Sequence, residues 1–256
     1  MKEEKDTHDL VKKAYASVAK GKSCCPPEKS CCCGQPVEKA VPVPEAELGL
    51  SCGDPVAFSQ LKAGDTVLDL GSGAGKDVFT AAIIVGATGR IIGVDMTPEM
   101  LDLARGNAVA FRERTGLDNL EFRSGQIEEL PVDDSSIDVV ISNCVINLSP
   151  DKRRVYREVF RVLKPGGRMV VSDIVLNREL PESLKSNETL YAGCIAGALL
   201  REQYMDAIRS AGFSHVDVIK DITWTSSQAG DDPITSGLGD VLTSVSASSI
   251  TVTARK

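Results

Sequence analysis

Residues 66–77, Thr-Val-Leu-Asp-Leu-Gly-Ser-Gly-Ala-Gly-Lys-Asp, constrain the fold of this 256-residue chain more than any other stretch. A short apolar run, Val67 to Leu70, ends in a glycine turn. It leads directly into the apolar-periodic segment Lys76 to Val85, so the pattern predicts a strand, a tight loop and a helix. Gly71, Gly73 and Gly75 carry no Cβ, which lets a ligand approach the main chain while the helix amino terminus offers its N–H groups. A carboxylate or a phosphate suits such a loop equally well. The spacing is G-x-G-x-G, not the G-x-G-x-x-G of dinucleotide-binding folds.

Downstream residues extend the pattern. Arg90 to Val94 predicts a second strand, and Asp95 stands at its carboxyl end, 24 residues after Gly71. A carboxylate at that place can accept both hydroxyls of an unphosphorylated ribose. Leu120 to Arg123 predicts a third strand, followed by the polar loop Ser124-Gly125-Gln126-Ile127, which suits an adenine edge. Ile137 to Ser142 and Arg168 to Ile174 predict a fourth and a fifth, with Lys164-Pro-Gly-Gly167 stopping the helix before the fifth. This order of motifs resembles the class I S-adenosylmethionine-dependent methyltransferases over roughly residues 45–220. The resemblance implies an α/β fold: a Rossmann-like, seven-stranded sheet with helices on both faces and the last strand antiparallel. It also implies S-adenosylmethionine as methyl donor, held by Asp69, Gly71, Ser72, Gly73, Gly75, Asp95, Met96, Gly125, Gln126, Ile127 and Asn143.

Charge and length agree with a small-molecule enzyme. The net charge is −7, from 29 basic and 36 acidic residues, with no basic run, which argues against nucleic acid or an anionic membrane as partner. No apolar stretch approaches the length of a bilayer span, and the amino terminus Met-Lys-Glu-Glu-Lys-Asp is charged, so the expected location is cytoplasmic. Three regions follow. Residues 1–44 hold a helix over Asp6 to Lys20, with Leu10, Val11, Ala14, Tyr15 and Val18 on one face, then a loop with five cysteines and five prolines, expected to be irregular and mobile. Residues 45–176 form the cofactor-binding core. Residues 177–256 hold a polar insertion (Asn177 to Asn187), a helix from Arg201 to Ala211 and strands at His215 to Lys220 and Ser249 to Ala254. A surface loop is expected over residues 225–248.

The eight cysteines narrow the chemistry. The cluster Cys24-Cys25…Cys31-Cys32-Cys33 lacks the paired C-x-x-C spacing of a zinc site, and the only histidines, His8 and His215, have no ligand spacing. Cys144 sits two residues past the fourth strand, in Ser142-Asn143-Cys144-Val145-Ile146-Asn147-Leu148, where an open α/β sheet presents its ligand. It is either a substrate thiol or a small buried hydrophobe. Cys194 follows 50 residues later, in Tyr191-Ala-Gly-Cys194-Ile-Ala-Gly-Ala198. With the early helix, the clustered cysteines and Ser172-Asp-Ile-Val175, these segments resemble the arsenite methyltransferases. The resemblance implies that Cys144 and Cys194 bind arsenic(III) and that a third thiol comes from the amino-terminal cysteines. Cys31, Cys32 and Cys33 are nearest the core, with Cys32 expected to act in the reaction and Cys24 and Cys25 behind them. Cys52 is either a packed residue or a ligand. The chain departs from the family in its short tail after the last predicted strand.

Thiolate-bound arsenic(III) carries a lone pair and needs no general base to become a nucleophile, so the scarcity of histidine fits. The protein's work is then mainly orientation. Methylation raises arsenic's oxidation state, so the resemblance also implies a thiol reductant such as thioredoxin or glutathione. Two other functions match the same motifs less fully. A methyltransferase for a small organic acceptor, such as a quinone or sterol ring, would not need Cys144 and Cys194. A passive thiol protein binding arsenic or zinc would not need the cofactor motifs.

Overall fold

The computed structural model of the chain describes residues 2–21, 42–223, 233–235 and 245–256. The apolar runs form a seven-stranded sheet. Its strands are β1 (Thr66–Leu70), β2 (Arg90–Asp95), β3 (Leu120–Ser124), β4 (Ile137–Asn143), β5 (Leu163–Leu176), β6 (Ser214–Thr223) and β7 (Ala247–Arg255). Their order is β3-β2-β1-β4-β5-β7-β6. The first five are parallel, and β7 runs antiparallel between β5 and β6. This is the architecture that the motif order implied.

Alternation along the strands sends side chains to two cores. Val67 of β1 and Val139 and Ile141 of β4 join Phe79 and Phe111 on one face. Phe79 belongs to α3 (Lys76–Val85) and Phe111 to α4 (Pro98–Thr115), and their rings stack with centroids 5.2 Å apart. Leu68, Leu70 and Val140 face the other way, against α5 (Lys152–Val162) and α8 (Arg201–Ser210). There Tyr156 and Tyr204 meet edge to face at 5.8 Å. Burying a large apolar side chain of this kind stabilises the fold by about 1.5–3 kcal/mol each.

Helix α4 adds to the elements expected from sequence. Pro98 opens α4, and Gly116, at φ 72°, ends it. Asp151 caps α5 by accepting from the Arg154 amide at 2.9 Å. The polar insertion holds a short helix, α6 (Glu182–Lys185), and Asn187 caps a further one, α7 (Glu188–Ala192), by accepting from the Leu190 amide at 2.9 Å. Lys164-Pro-Gly-Gly167 follows the end of α5, as expected, but lies within β5, where pairing with β4 shifts register between Ile137 and Val139.

At the amino terminus α1 (Lys2–Ala19) lies against the core: Tyr15 Oη donates to the Ala192 carbonyl at 3.3 Å, and Lys20 pairs with Glu99 at 2.9 Å. Between α1 and β1, α2 (Pro55–Phe58) is capped by Asp54. The cysteine cluster at positions 24, 25 and 31–33, and most of the expected loop over 225–248, lie outside the described residues. Among the described residues no helix is long and apolar enough to cross a membrane. The strand order reverses between β1 and β4, which opens a crevice at their carboxyl ends.

Candidate active site

The glycine loop forms one wall of that crevice. Gly71 has φ 65°, and a Cβ there would come within 2.3 Å of Val145 Cγ2. Gly73 has φ 50°, and a Cβ there would meet nothing within 4 Å, so the main chain faces open space. Asp95 ties the loop down: its Oδ2 accepts from the Gly73 amide at 2.9 Å and its Oδ1 from the Thr97 amide at 2.8 Å. Burial raises the Asp95 carboxyl above its ordinary range, against those hydrogen bonds. Burial also raises Asp69 well above its ordinary value, with the neighbouring Asp77 and Asp95 adding to the effect. Ser72 Oγ is buried and has no hydrogen-bond partner among the described residues.

Most of the expected cofactor residues share this one cleft. Asp69, Gly71, Ser72 and Gly73 line it, and so do Asp95, Met96, Gly125, Ile127 and Asn143. Two do not. Gly75, at φ 96°, starts α3, and a Cβ there would collide with the Phe79 ring at 2.7 Å. Gln126 turns its amide to His8, donating from Nε2 to Nδ1 at 3.1 Å. His8 Nε2 in turn meets Glu128 Oε1 at 3.1 Å, and Ser149 Oγ also bonds that carboxylate oxygen. Sequence alone did not single out His8 or Glu128 for the cleft, because nothing local ties a helix at residue 8 to a loop 120 residues away.

Three cysteines gather at the acceptor end. Cys144 follows β4 with φ 58°, and its amide donates to the Ser172 carbonyl at 2.8 Å. A disulfide joins it to Cys52 across 92 residues of sequence, with Cα atoms 5.9 Å apart. Asn143 holds the Cys52 segment in place, its Oδ1 accepting from the Cys52 amide at 3.2 Å and its Nδ2 donating to the Gly53 carbonyl at 3.0 Å. Asn143 Nδ2 also donates to Asp77 Oδ2 at 3.0 Å, so one side chain links the cysteine segment to the glycine-loop helix. Cys194, at φ 65°, follows α7 and donates its thiol to the Cys144 carbonyl at 2.7 Å. Cys144 and Cys194 are therefore brought together as expected, but Cys144 reaches the site as a disulfide and not as a thiol. Cys31, Cys32 and Cys33 lie outside the described residues.

A sheet of this topology, with a glycine loop and a buried carboxylate at its switch point, defines a class I methyltransferase fold. Residues 61–212 match the methyltransferase domain family. The chain is 41% identical over 233 residues to the arsenite methyltransferase of Halobacterium salinarum, covering 83% of this chain and 59% of that one. It is 45% identical over 161 residues to the arsenite methyltransferase of Aquipseudomonas alcaligenes, covering 62% and 46%. Among solved structures, an arsenic (III) S-adenosylmethionine methyltransferase from Chlamydomonas reinhardtii superposes with a TM-score of 0.66 at 37% identity, covering 83% of this chain and 74% of that one. The chain belongs to the arsenite methyltransferase family. It spans little more than half the length of the Halobacterium relative and less than half of the Aquipseudomonas one.

Proposed function

We propose that this chain transfers a methyl group from S-adenosylmethionine to trivalent arsenic held by cysteine thiolates, in the cytoplasm. The observation that carries the reading is the convergence of Cys52, Cys144 and Cys194 beside the glycine-loop cleft. The cleft suits the donor. Gly73 leaves its floor open, Ser72 Oγ offers an unused polar atom, and Asp95, which lines it, supplies a carboxylate for the ribose hydroxyls. Bound S-adenosylmethionine supplies an electrophilic methyl group, and thiolate-bound arsenic(III) offers a lone pair as nucleophile. Asp95, the glycine loop and the Gly125–Ile127 loop hold the donor. Cys144 and Cys194 hold arsenic, with a third thiolate from Cys31, Cys32 or Cys33.

Cys52 has a separate part. Its disulfide with Cys144 must open before Cys144 can serve as a ligand. A dithiol reductant of the thioredoxin or glutathione kind supplies the two electrons and two protons and is itself oxidised. In the reverse sense, closing Cys52 onto Cys144 releases two electrons, the number that returns pentavalent arsenic to the trivalent state. Incubating the protein with arsenite, S-adenosylmethionine and a dithiol, then separating the arsenic species, tests the reading. Methylated arsenic is the expected product. Donor binding without methylated arsenic would point to an organic acceptor or to passive binding.

A further inference from the structure

Asp173 in β5 is a fully buried carboxyl that the proposed reaction does not use. Its Oδ2 accepts from Tyr204 Oη at 2.9 Å, whereas Oδ1 is buried and has no hydrogen-bond partner among the described residues. It does not line the donor cleft. A carboxylate oxygen of Asp173 and the sulfurs of Cys52 and Cys144 all lie within 4.8 Å of one another. Buried polar groups are ordinarily satisfied, so a buried carboxyl with one oxygen unpartnered, this close to two sulfurs, has capacity for a ligand.

We propose that, after the Cys52–Cys144 disulfide is reduced, the two thiolates and the Asp173 carboxylate form a binding site for one divalent cation of the zinc class. The donor set decides the class. Two sulfurs exclude magnesium and calcium, which take oxygen, whereas two sulfurs and one oxygen suit zinc with water in a fourth place. Ligand distances of about 2.0–2.3 Å require only that the three donors close on a common centre. Tyr204 orients the carboxylate through its hydrogen bond to Oδ2, the usual service of an outer partner. Reduction takes two electrons and two protons from a phosphine and water or from a dithiol, and the cation then displaces the thiol protons to solvent. Cys194 lies outside this set, because its thiol is turned to the Cys144 carbonyl. The site therefore shares only Cys144 with the proposed arsenic ligands, and occupancy of one excludes the other. That last consequence alone rests on the arsenic reading.

The test uses the 256-residue chain with Cys24, Cys25, Cys31, Cys32 and Cys33 changed to serine, reduced with a phosphine so that neither those cysteines nor the reductant supplies a competing thiol. Cobalt(II) is titrated as a spectroscopic stand-in and then displaced by zinc. One equivalent should bind, with a sulfur-to-cobalt charge-transfer band and intense tetrahedral visible bands. Asp173→Asn and Cys52→Ser should each weaken zinc by about 10–100-fold, and Cys194→Ser should leave it within about twofold. Unchanged S-adenosylmethionine affinity in each variant certifies the fold. Parental zinc affinity and cobalt spectra in both Asp173→Asn and Cys52→Ser would overturn the site. So would loss of the cation in Cys194→Ser, which would place it among the arsenic thiols. With zinc binding intact, failure of zinc to compete with arsenite in the parent chain, which keeps Cys31, Cys32 and Cys33, would count against the arsenic ligands and leave the cation site standing.

Discussion

Cys194 donates its thiol to the main-chain carbonyl of Cys144 at 2.7 Å, and both residues adopt left-handed φ angles, 65° and 58°. A non-glycine side chain in that region is strained, and here two such residues meet at one site. Sequence spacing alone cannot show it, because the two turns lie 50 residues apart.

The strain yields a stability prediction. At position 194 glycine should be better tolerated than alanine, the reverse of the usual order, by about 1 kcal/mol. Urea unfolding of Cys194→Gly and Cys194→Ala would measure the difference. A more stable alanine variant would show that the left-handed conformation carries no cost.

Asp95→Ala should weaken S-adenosylmethionine by about 1.5–3 kcal/mol, the worth of hydrogen bonds to a charged acceptor. The same carboxylate also holds the Gly73 amide, so the loop loosens as the ribose contact is lost. Arsenite affinity should stay within experimental error. Calorimetry with donor and with arsenite separates the two effects, and unchanged donor affinity would remove Asp95 from the site.

Gly71→Ala should cost donor affinity by at least about tenfold, since the new methyl collides with Val145 and the backbone stays left-handed. Adding Val145→Ala should recover part of the loss by removing the collision but not the backbone strain. No recovery in the double variant would mean that the strain alone accounts for the defect.

Lys152, whose ammonium donates to the Ser149 carbonyl at 2.9 Å, is pushed down to about 8, chiefly by burial. A lysine depressed in the folded state binds fewer protons there than in the unfolded chain between pH 8 and its ordinary value near 10.5. Stability linked to it therefore rises with pH across that window and is lost below it. Lys152→Met should be more stable relative to the parent at pH 7.5 than at pH 10, by up to about 3 kcal/mol before residual solvent contact is allowed for. Denaturant unfolding at the two pH values would show it, and an equal difference at both would contradict the shift.

Much of the fold was legible because parallel strands covered on both faces read as apolar runs, as in Val67–Leu70 and Ile137–Ser142. The helix α4 was not, although Pro98 and Gly116 mark its ends, because Gly106 and several charged residues blur its apolar face. The donor loop was legible from local spacing alone. Cys52 was not, because its meaning depends on a partner 92 residues away that only sheet pairing brings near. Asp173 was hidden within Ser172-Asp-Ile-Val175, where a buried carboxyl and an exposed one look alike in sequence.

In the proposed reaction core thiols hold arsenic while the glycine loop holds the methyl donor. The most direct measurement follows methylated arsenic and S-adenosylmethionine binding in parallel for the parent, Cys144→Ser and Cys194→Ser under dithiol reduction. Serine's hydroxyl is too hard and too weakly acidic to replace a thiolate. Each variant should lose arsenic methylation while keeping the parent's donor affinity. Near-normal methylated arsenic from both variants would contradict the account.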